Sequence, residues 1–501
     1  MKCSVLDWLE NTAEKYPDKP AYTDCENSLT FSQIKDYAQR IGSAICGKVK
    51  PGSPVAVMSG RYVHTPVIFL GAVYAGCFYA PMDGTQPSAR LNTILSTIKP
   101  SVLVVDDEFF ETAKFLEYDG EILSASELIN AEILSEELTY RRRFASCSDP
   151  LYTIFTSGST GIPKGVVTSM ESLMCYISAY TEVMGIDSTD VLGNQSPLDY
   201  IAAIRDIYLP LYTGAAMYII PKQFFSMPAK LFDALNEHKI TSVGWSVSVF
   251  TITVAMGAFE HSVPQYLKKV CFSGSVMPCS VLRVWQENLH DAKFVNQYGP
   301  TEATASCTYY EVKGKVSADD VLPIGVPYRN YKVFVLKEDN TLANVGEVGE
   351  ICVSGPILSL GYYNNQELTK KSFVQNPLNK AYDERIYKTG DLGVLRADGL
   401  LEFRGRKDRQ IKHLGHRVEL SEIEYTAGKI DGVDDCCAMY YKEKELIYLF
   451  YTGNASVKEI AVYMRGVLPG FMVPRKLVNL DELPHLQNGK IDMQALKGYM
   501  K

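Results

Sequence analysis

Residues 152 to 166 read Tyr152-Thr-Ile-Phe-Thr-Ser-Gly-Ser-Thr-Gly-Ile-Pro-Lys-Gly-Val166. The stretch places three glycines, a run of hydroxyl side chains and Lys164 after an apolar segment. Glycines let backbone N–H groups approach an anion, hydroxyl groups donate further hydrogen bonds, and lysine supplies positive charge. Leu151 to Phe155 is typical of a strand, and nucleotides in α/β proteins bind where such strands end. The stretch therefore predicts a phosphate-binding loop.

The residues around Lys164 exclude an ordinary nucleotide loop. A Walker A loop has the order Gly-x4-Gly-Lys-Ser/Thr, but here Pro163 precedes the lysine and Gly165 follows it, so the magnesium-binding hydroxyl is missing. A surface turn rich in serine and glycine is the alternative on composition alone. The order Thr-Ser-Gly-Ser-Thr-Gly-x-Pro-Lys-Gly is more specific. It resembles the phosphate loop of the adenylate-forming superfamily, which includes acyl-CoA synthetases, luciferases and adenylation domains of nonribosomal peptide synthetases.

Composition limits the function classes. A chain of 501 residues is too long for one ordinary core, and 46% hydrophobic with 22% charged residues is typical of a soluble globular protein. The net charge of −8 argues against broad nucleic-acid binding. We expect no membrane span and no signal peptide. Scattered cysteines without a Cys-x-x-Cys pair suggest reduced thiols in a cytoplasmic protein. We interpret Arg141 to Arg143 as a solvated loop.

Periodicity predicts alternating helices and strands in the first part of the chain. Ser4 to Tyr16 and Thr30 to Ala44 have helical spacing, with Thr30 as the N-cap of the second helix. Strand-like and helix-like patterns then alternate to about Trp285, as expected of βα units. From Pro323 onwards, short strands separated by glycine turns indicate a barrel-like or distorted sheet. The rest of the chain has room for a compact α+β domain.

Further segments match the adenylate-forming superfamily in the expected order, so the resemblance extends from about Leu29 to Asp492. It implies an α/β fold with a large N-terminal domain, built of βα subdomains and a small distorted β-barrel, and a small mobile α+β C-terminal domain. We place the boundary near Asp408. Residues 1–407 would form the adenylation core, which binds nucleotide and acid, and residues 408–501 would form the lid that carries the catalytic lysine.

The resemblance also implies the residues that bind ATP. The triphosphate would contact the phosphate loop, at Thr156, Ser157, Gly158, Ser159, Thr160, Gly161 and Lys164. In Asn296-Gln-Tyr-Gly-Pro-Thr-Glu-Ala-Thr304, Tyr298 would stack on adenine, Asn296 would bind its amino group, Thr301 would contact the α-phosphate, and Glu302 would help to hold Mg²⁺. Magnesium needs only one or two carboxylates when phosphate oxygens complete its shell.

Three later segments complete the implied nucleotide and catalytic sites. Asp391, in Tyr387-Lys-Thr-Gly-Asp-Leu-Gly393, would bind the ribose, because a carboxylate can accept from both hydroxyls. The segment from Gly405 to Glu419 resembles the hinge motif, and its implied roles are nucleotide contact for Arg406 and Lys412, the pivot for Asp408, and approach to the thiol for Gly415. Lys490, in Asn488-Gly-Lys-Ile-Asp492, would bridge the acid and the α-phosphate during catalysis.

The acid pocket is predicted by counting back without gaps from Thr213-Gly-Ala215. Amino-acid-activating members of the superfamily have an aspartate where this chain has Ile201, and isoleucine cannot pair with an ammonium group. We therefore expect an acid without a free α-amino group, such as an aryl, keto or hydroxy acid. The predicted pocket consists of Tyr200, Ile201, Ala202, Arg205, Gly244, Cys271, Ser273, Gln297, Ala305 and Ser306.

Two alternatives for the pocket stay open on the sequence alone. With a two-residue insertion in the alignment, Asp199 could serve as the ammonium anchor. Arg205 could pair with a second carboxylate of the substrate, although a salt bridge to Asp206 or exposure to solvent is the plainer interpretation. Ser273 stands where D-alanine ligases of similar size carry cysteine, which together with Ile201 argues against simple D-alanine activation.

The implied reaction is an ATP-dependent ligation in two steps. A carboxylate attacks the α-phosphate of MgATP to give an acyl adenylate and pyrophosphate, and a thiol then displaces AMP to leave a thioester. The chain shows no carrier or condensation motif, so we expect the thiol on a separate phosphopantetheinylated carrier protein. Coenzyme A is the alternative acceptor, and a catalytically idle binding protein of the same fold is a third hypothesis.

Overall fold

The computed structural model describes residues 4–158, 162–485 and 491–500. Short 3-10 helices lie at Lys222–Ser226, Thr301–Ala303 and Lys442–Lys444. The α-helices are α1 (Val5–Lys15), α2 (Phe31–Cys46), α3 (His64–Tyr74), α4 (Ser88–Ile98), α5 (Asp107–Ala113), α6 (Ala125–Leu128), α7 (Ser135–Arg143), α8 (Met170–Met184), α9 (Ala203–Thr213), α10 (Pro228–Glu237), α11 (Val247–Ala255), α12 (Ala258–His261), α13 (Cys279–Asn288), α14 (Gln366–Ser372), α15 (Leu420–Ala427), α16 (Val457–Val467) and α17 (Met493–Lys497).

Within the described ranges the strands form five sheets. They are β1 (Pro20–Thr23), β2 (Ser28–Thr30), β3 (Pro54–Ser59), β4 (Phe78–Asp83), β5 (Val102–Val105), β6 (Glu121–Ser124), β7 (Pro150–Thr156), β8 (Lys164–Ser169), β9 (Val191–Asn194), β10 (Ala216–Ile219), β11 (Ser242–Ser246), β12 (Lys269–Ser273), β13 (Lys293–Tyr298), β14 (Thr308–Glu311), β15 (Val326–Pro327), β16 (Lys332–Leu336), β17 (Val348–Ser354), β18 (Gly361–Tyr362), β19 (Phe373–Gln375), β20 (Arg385–Leu395), β21 (Leu401–Arg406), β22 (Gln410–His413), β23 (His416–Glu419), β24 (Val433–Tyr441), β25 (Leu446–Gly453) and β26 (Lys476–Asn479).

Two large sheets make up the N-terminal part. One has the strand order β18-β8-β7-β4-β3-β5-β6, and the other has the order β15-β14-β13-β12-β11-β9-β10-β1-β2. In the second sheet β9 to β13 are parallel, so their carboxyl ends meet at one edge. The largest hydrophobic cluster contains apolar residues of α1, α2, α3, α8 and α9 together with residues of both sheets. This α/β architecture is the predicted one, and it leaves the polar ends of parallel strands available for a site.

The predicted phosphate loop connects two antiparallel strands. β7 contains the apolar run that the sequence predicts as a strand, and Thr156 at its end pairs with Lys164 at the start of β8. The loop therefore forms the turn of a hairpin rather than a strand-to-helix connection. Ser159, Thr160 and Gly161 at its tip lie outside the described residues.

Beyond residue 330 the chain forms smaller sheets. β16, β17, β19, β20 and β21 build an open antiparallel sheet with register shifts, which is the distorted sheet that the glycine turns predicted. β22 and β23 form a hairpin, and β24 to β26 form a three-stranded sheet. Two hydrophobic clusters consist entirely of residues 411–500. The distorted sheet ends at Arg406, shortly before Asp408, and the residues of these two clusters begin shortly after it. The mobility of the segment beyond Asp408 stays a prediction.

The structure confirms the predicted helix cap at Thr30 and contradicts the predicted loop at Arg141 to Arg143. Thr30 caps α2, because its side chain accepts from the backbone N–H of Gln33. The interpretation of Arg141 to Arg143 as a solvated loop was wrong, since the three arginines form the last turn of α7. Positive side chains at a helix C-terminus interact favourably with the helix dipole. The cysteines of the described ranges are all free. None of the described helices is long and apolar enough to cross a bilayer.

Candidate active site

A cleft opens at the carboxyl ends of β11, β12 and β13. Ser246 and Ser273, the last residues of β11 and β12, line it, and Thr301 follows β13. The hairpin of β22 and β23 covers the opposite side and contributes Gly415 and Arg417. The cleft therefore lies where the N-terminal sheets meet the first hairpin of the C-terminal segment.

We call one side of this cleft the nucleotide half. It consists of the predicted nucleotide-binding side chains that line the cleft or lie directly behind its wall, namely Lys164, Thr301, Glu302, Asp391, Arg406 and Lys412. The turn after β13 brings Thr301 and Glu302 into it. A Cβ on Gly299 would lie 2.5 Å from the Cα of Ser306, so the chain can fold back tightly here only with glycine.

Glu302 is the centre of charge in the nucleotide half. It is fully buried, and its Oε1 accepts from the hydroxyl of Tyr362 at 2.8 Å and lies 3.4 Å from Nζ of Lys164. Its Oε2 lies 2.8 Å from Nη1 of Arg417. Burial acts to raise the pKa of Glu302, but Arg417 and Lys164 outweigh burial and hold that pKa well below its usual range. The group is therefore a permanent carboxylate.

The predicted ribose and adenine residues lie together. Oδ2 of Asp391 accepts from the hydroxyl of Tyr298 at 2.5 Å, and Oδ1 pairs with Arg406. Asn296 is buried and donates from Nδ2 to the carbonyl of Pro323 at 2.8 Å. Burial lowers the pKa of Lys412, whose ammonium lies on the same side of the cleft.

The described part of the phosphate loop is in contact with the C-terminal segment. The hydroxyl of Ser157 donates to the carbonyl of Arg417 at 2.8 Å, and the backbone N–H of Gly158 donates to Oε2 of Glu422 at 3.1 Å. Oε1 of Glu422 pairs with Nη1 of Arg90 at 3.2 Å, and both side chains are buried. Thr156 Oγ1 is buried without a hydrogen-bond partner in the described part of the chain.

The predicted thiol and hinge residues occupy different positions. Gly415 has φ +82°, a region that favours glycine, and its carbonyl accepts from the hydroxyl of Tyr200 at 3.0 Å. A Cβ on Gly415 would lie 2.8 Å from Cβ of Ser246, so a side chain here would block the close approach. Asp408 lies between β21 and β22 and pairs with Arg406 at 2.6 Å. Lys490 lies outside the described residues.

We call the other side of the cleft the acid half. Most of the predicted acid-pocket residues line it, namely Tyr200, Ile201, Ala202, Arg205, Gly244, Ser273, Ala305 and Ser306. Cys271 and Gln297 are buried and are not among the lining residues. Among the described acidic residues, Asp391 is the one that lines the cleft, and it belongs to the nucleotide half.

The two alternatives for the acid pocket are distinguishable in the structure. Arg205 forms a salt bridge to Asp206 at 2.8 Å, which is the plainer interpretation of this arginine. Asp199 lines a separate small cavity with Asp83 and Arg61, and it accepts from Nε2 of Gln86 at 2.8 Å. Burial and the Asp83 carboxylate raise the pKa of Asp199 to about 7. Asp199 is therefore not positioned as an anchor in the cleft.

The structure adds residues that sequence reasoning missed. Arg417 and Glu422 lie in or just after the hinge segment, so their motif could have suggested them. Arg90 and Tyr362 have no motif around them, and Arg90 is 332 positions away from Glu422 in the sequence. Only the folded chain shows that Arg90 holds the carboxylate that binds Gly158. Within the described ranges no cluster of three or more metal-ligating residues is present.

One protein family and several known proteins match this chain over most of its length. The profile described as "AMP-binding enzyme" matches residues 9–363. The D-alanine–D-alanyl carrier protein ligase of Bacillus cereus (strain AH187) is 30% identical over 506 residues, which are 98% of either chain. Tyrocidine synthase 1 of Brevibacillus parabrevis is 28% identical over 508 residues, which are 98% of this chain and 45% of that protein.

The match to large synthases covers only part of them. The chain spans less than half the length of tyrocidine synthase 1 and of surfactin synthase subunit 3 of Bacillus subtilis. Among solved structures, o-succinylbenzoate CoA synthetase of Bacillus subtilis superimposes with a TM-score of 0.85 over 98% of both chains, at 19% identity, and so shares the fold. Because the family profile covers more than half of the sequence, the chain belongs to the AMP-binding enzyme family of the adenylate-forming superfamily.

Proposed function

We propose that this enzyme activates a carboxylic acid with ATP as an acyl adenylate and then transfers the acyl group to the phosphopantetheine thiol of a separate carrier protein. One observation carries the proposal. The cleft brings the buried carboxylate of Glu302, cationic side chains and Asp391 against a wall that contains Ile201 and Arg205. The family itself binds AMP. The carrier is suggested by the D-alanyl carrier protein ligase, which matches the chain over its full length.

The residues of the nucleotide half fit MgATP. Thr156 Oγ1 has an unused hydrogen bond in the described chain, and Lys164 is a nearby cation for the triphosphate. Glu302 stays ionised and would hold Mg²⁺ together with phosphate oxygens, and the ion would offset the charge of the triphosphate. Asp391 would accept from the ribose hydroxyls, and Tyr298 and Asn296 would bind adenine.

The first step joins two anions. An oxygen of the substrate carboxylate attacks the α-phosphorus, the bond to the bridging oxygen breaks, and pyrophosphate leaves with the electron pair. Thr301 would donate a hydrogen bond to the α-phosphate, and the ammonium of Lys490 would offset the repulsion between carboxylate and phosphate. This assignment of Lys490 rests on its motif, because the residue lies outside the described ranges.

The arrangement of the C-terminal segment fits the second step. Arg417 pairs with Glu302, and Glu422 accepts from the backbone N–H of Gly158. Arg417 and Glu422 therefore engage the carboxylate and the N–H group that magnesium and a bound triphosphate would need. This arrangement therefore suits the enzyme after pyrophosphate has left. Gly415 lies against Ser246 in the same arrangement, in a close approach that a side chain would block. The thiolate attacks the carbonyl carbon, and AMP leaves with the electrons of the carbon–oxygen bond.

Rotation of residues 408–501 about Asp408 would exchange the two arrangements. The first step needs Lys490 at the cleft, whereas the structure has Gly415 and Arg417 there. Domain rotation of this kind is an established way to use one cleft for two reactions. Asp408 lies between β21, in the five-stranded sheet, and β22, in the two-stranded hairpin, which suits a pivot.

The substrate class follows from the acid half. Ile201 occupies the predicted anchor position, and the carboxylates described near it are either paired, as Asp206 is, or directed to another cavity, as Asp199 is. An ammonium group would be buried there without a partner, which is unfavourable. We infer an acid without a free α-amino group. We also infer a cytoplasmic enzyme, because ATP and reduced thiols are available there.

The test is ATP–pyrophosphate exchange with a panel of carboxylic acids, followed by thioester formation with a holo carrier protein and with coenzyme A. We expect exchange with acids lacking an α-amino group and transfer to the carrier. Efficient turnover with coenzyme A alone would favour an acyl-CoA ligase. A clear preference for ordinary α-amino acids would contradict the assignment of Ile201. Exchange with no acid at all would favour the idle binding protein.

A further inference from the structure

One buried guanidinium in the acid half keeps an unused donor. Arg205 is 3% exposed, and it lines the cleft. Its Nε donates to Oδ1 of Asp206 at 2.8 Å, and its Nη2 donates to Oδ2 of Asp206 at 3.4 Å and to the carbonyl of Gly244. In the described part of the chain no group accepts from Nη1. Nη1 is not among the fully buried atoms without a partner, so it faces the cleft, where a ligand that carries an acceptor can reach it.

The guanidinium is held in place from two sides. A Cβ on Gly244 would lie 2.2 Å from Cζ of Arg205 and 2.5 Å from its Nη1, so the group rests directly on the backbone of β11. The ring of Tyr180 lies on another side, with its centroid 5.4 Å from Cζ. Because the plane of the guanidinium is fixed, Nη1 has a defined direction, and such preorganised donors select their ligands by geometry.

The charge balance decides which acceptor fits. Asp206 neutralises Arg205, and its Oδ2 also accepts from Nδ2 of Asn194 at 3.0 Å. A second substrate carboxylate would add an uncompensated negative charge to this buried pair, and an ammonium group would face the guanidinium. A neutral oxygen acceptor satisfies Nη1 and leaves the local charge at zero.

We propose, on the basis of the proposed function, that the acid carries a keto or hydroxyl oxygen which accepts a hydrogen bond from Nη1 of Arg205. Arg205 is then a specificity-determining residue, and Gly244 is the residue that makes room for it. Ile201, Ala202 and Ala305 add an apolar part to the wall, which suits the hydrocarbon part of the acid, and Ser273 and Ser306 add hydroxyl groups.

The experiment compares matched acids in ATP–pyrophosphate exchange. Each set shares one carbon skeleton of three to six carbons and differs in a single substituent, which is keto, hydroxyl, hydrogen, ammonium or carboxylate. We expect kcat/KM for the keto or hydroxyl member to exceed that of the unsubstituted acid by about 10- to 100-fold, because hydrogen bonds to charged groups are among the stronger ones. Preference for the ammonium or carboxylate member would overturn the inference.

Two variants test whether a preference for keto or hydroxyl acids depends on Nη1 of Arg205. Arg205→Lys keeps the charge beside Asp206 but loses the guanidinium edge, and the double variant Arg205→Met with Asp206→Leu removes the pair without leaving a buried charge. In both variants kcat/KM for the keto or hydroxyl member should fall to the level of the unsubstituted acid measured with the same variant. Arg141→Lys alters a largely buried guanidinium in the last turn of α7, which does not line the cleft, and should keep the preference.

The outcomes separate this inference from the proposed function. Exchange with no acid contradicts the proposed function. Exchange without a preference among matched acids, or a preference that survives in both Arg205 variants, contradicts only the role of Arg205. Thermal unfolding with and without ATP shows whether each variant is folded, and a variant that fails to fold is replaced by the other.

Discussion

In the nucleotide half, charged side chains pair across the cleft, and Arg417 and Glu422 of the C-terminal segment bind groups of the N-terminal part. In the acid half, the wall is mostly apolar, and its single ion pair lies within one helix, between Arg205 and Asp206. If residues 408–501 rotate as proposed, the contacts of Arg417 and Glu422 would break, whereas the pair of Arg205 and Asp206 would stay. We therefore expect reaction step and substrate choice to be controlled by different parts of the chain.

Lys490→Ala has the largest expected effect and tests whether the C-terminal segment controls the reaction step. Loss of the ammonium should slow adenylate formation by about 10²- to 10³-fold, because a charge aimed at the reacting oxygens is removed. Transfer from a preformed acyl adenylate to the thiol should be unchanged, since that step uses the other arrangement. Single-turnover assays of the two steps measure both effects. Lys497→Ala, an exposed lysine on α17, is the matched control and should leave both steps intact.

Gly244→Ala tests the acid half alone. The new Cβ would meet the guanidinium of Arg205 at 2.2 Å, and overpacking of this kind costs about 1–3 kcal/mol. We expect kcat/KM for the acid to fall roughly 10- to 100-fold, while KM for ATP is unchanged. Gly47→Ala, where a Cβ meets nothing within 4 Å, controls for the substitution itself. An equal rise in KM for ATP would contradict the independence of the two halves.

The nucleotide half was largely predictable because its residues lie in short motifs. Asn296 and Tyr298 come from one segment and Asp391 from another, and the hydrogen bond between Tyr298 and Asp391 brings the two segments together. The βα core was also predictable, since strand and helix periodicities alternate. The contact between Arg90 and Glu422 was not, because no local pattern encodes a pair of residues so far apart.

The acid half was predictable only as a set of positions. Ile201 and Gly244, which counting selected, line the cleft. Counting could not show that Cys271 and Gln297 lie outside the lining, because side-chain direction depends on packing. It also could not choose between the partners of Arg205. Those depend on the burial of Asp206 and on the close approach of the Gly244 backbone.

Glu422→Gln tests the coupling between the two parts. The variant loses the charge that pairs with Arg90 in a buried contact, which weakens the arrangement suited to the second step. We expect thioester formation to slow on the order of 10-fold, about 1.4 kcal/mol, with ATP–pyrophosphate exchange maintained. Glu424→Gln, on the same helix but paired with Arg409 inside the C-terminal segment, is the control. Loss of exchange in Glu422→Gln would show that the carboxylate acts in the first step instead.

The smallest expected effect concerns Asp199, which lies beside the cleft but belongs to neither half. Its pKa is raised to about 7, first by burial and then by Asp83, whereas an unfolded aspartate titrates at about 4. The folded chain therefore holds the proton more tightly, and the free energy of unfolding should fall as the pH rises from about 4 to about 7 and level off above. Because asparagine cannot ionise, the free energy of unfolding of Asp199→Asn should fall by about 2 kcal/mol less than that of the parent between pH 5 and pH 8.

Denaturant unfolding at these pH values measures the difference, with the exposed Asp398→Asn as control. If Asp199 were an ammonium anchor, the same variant would instead abolish exchange with amino acids; we expect kcat/KM for every accepted acid to be unchanged.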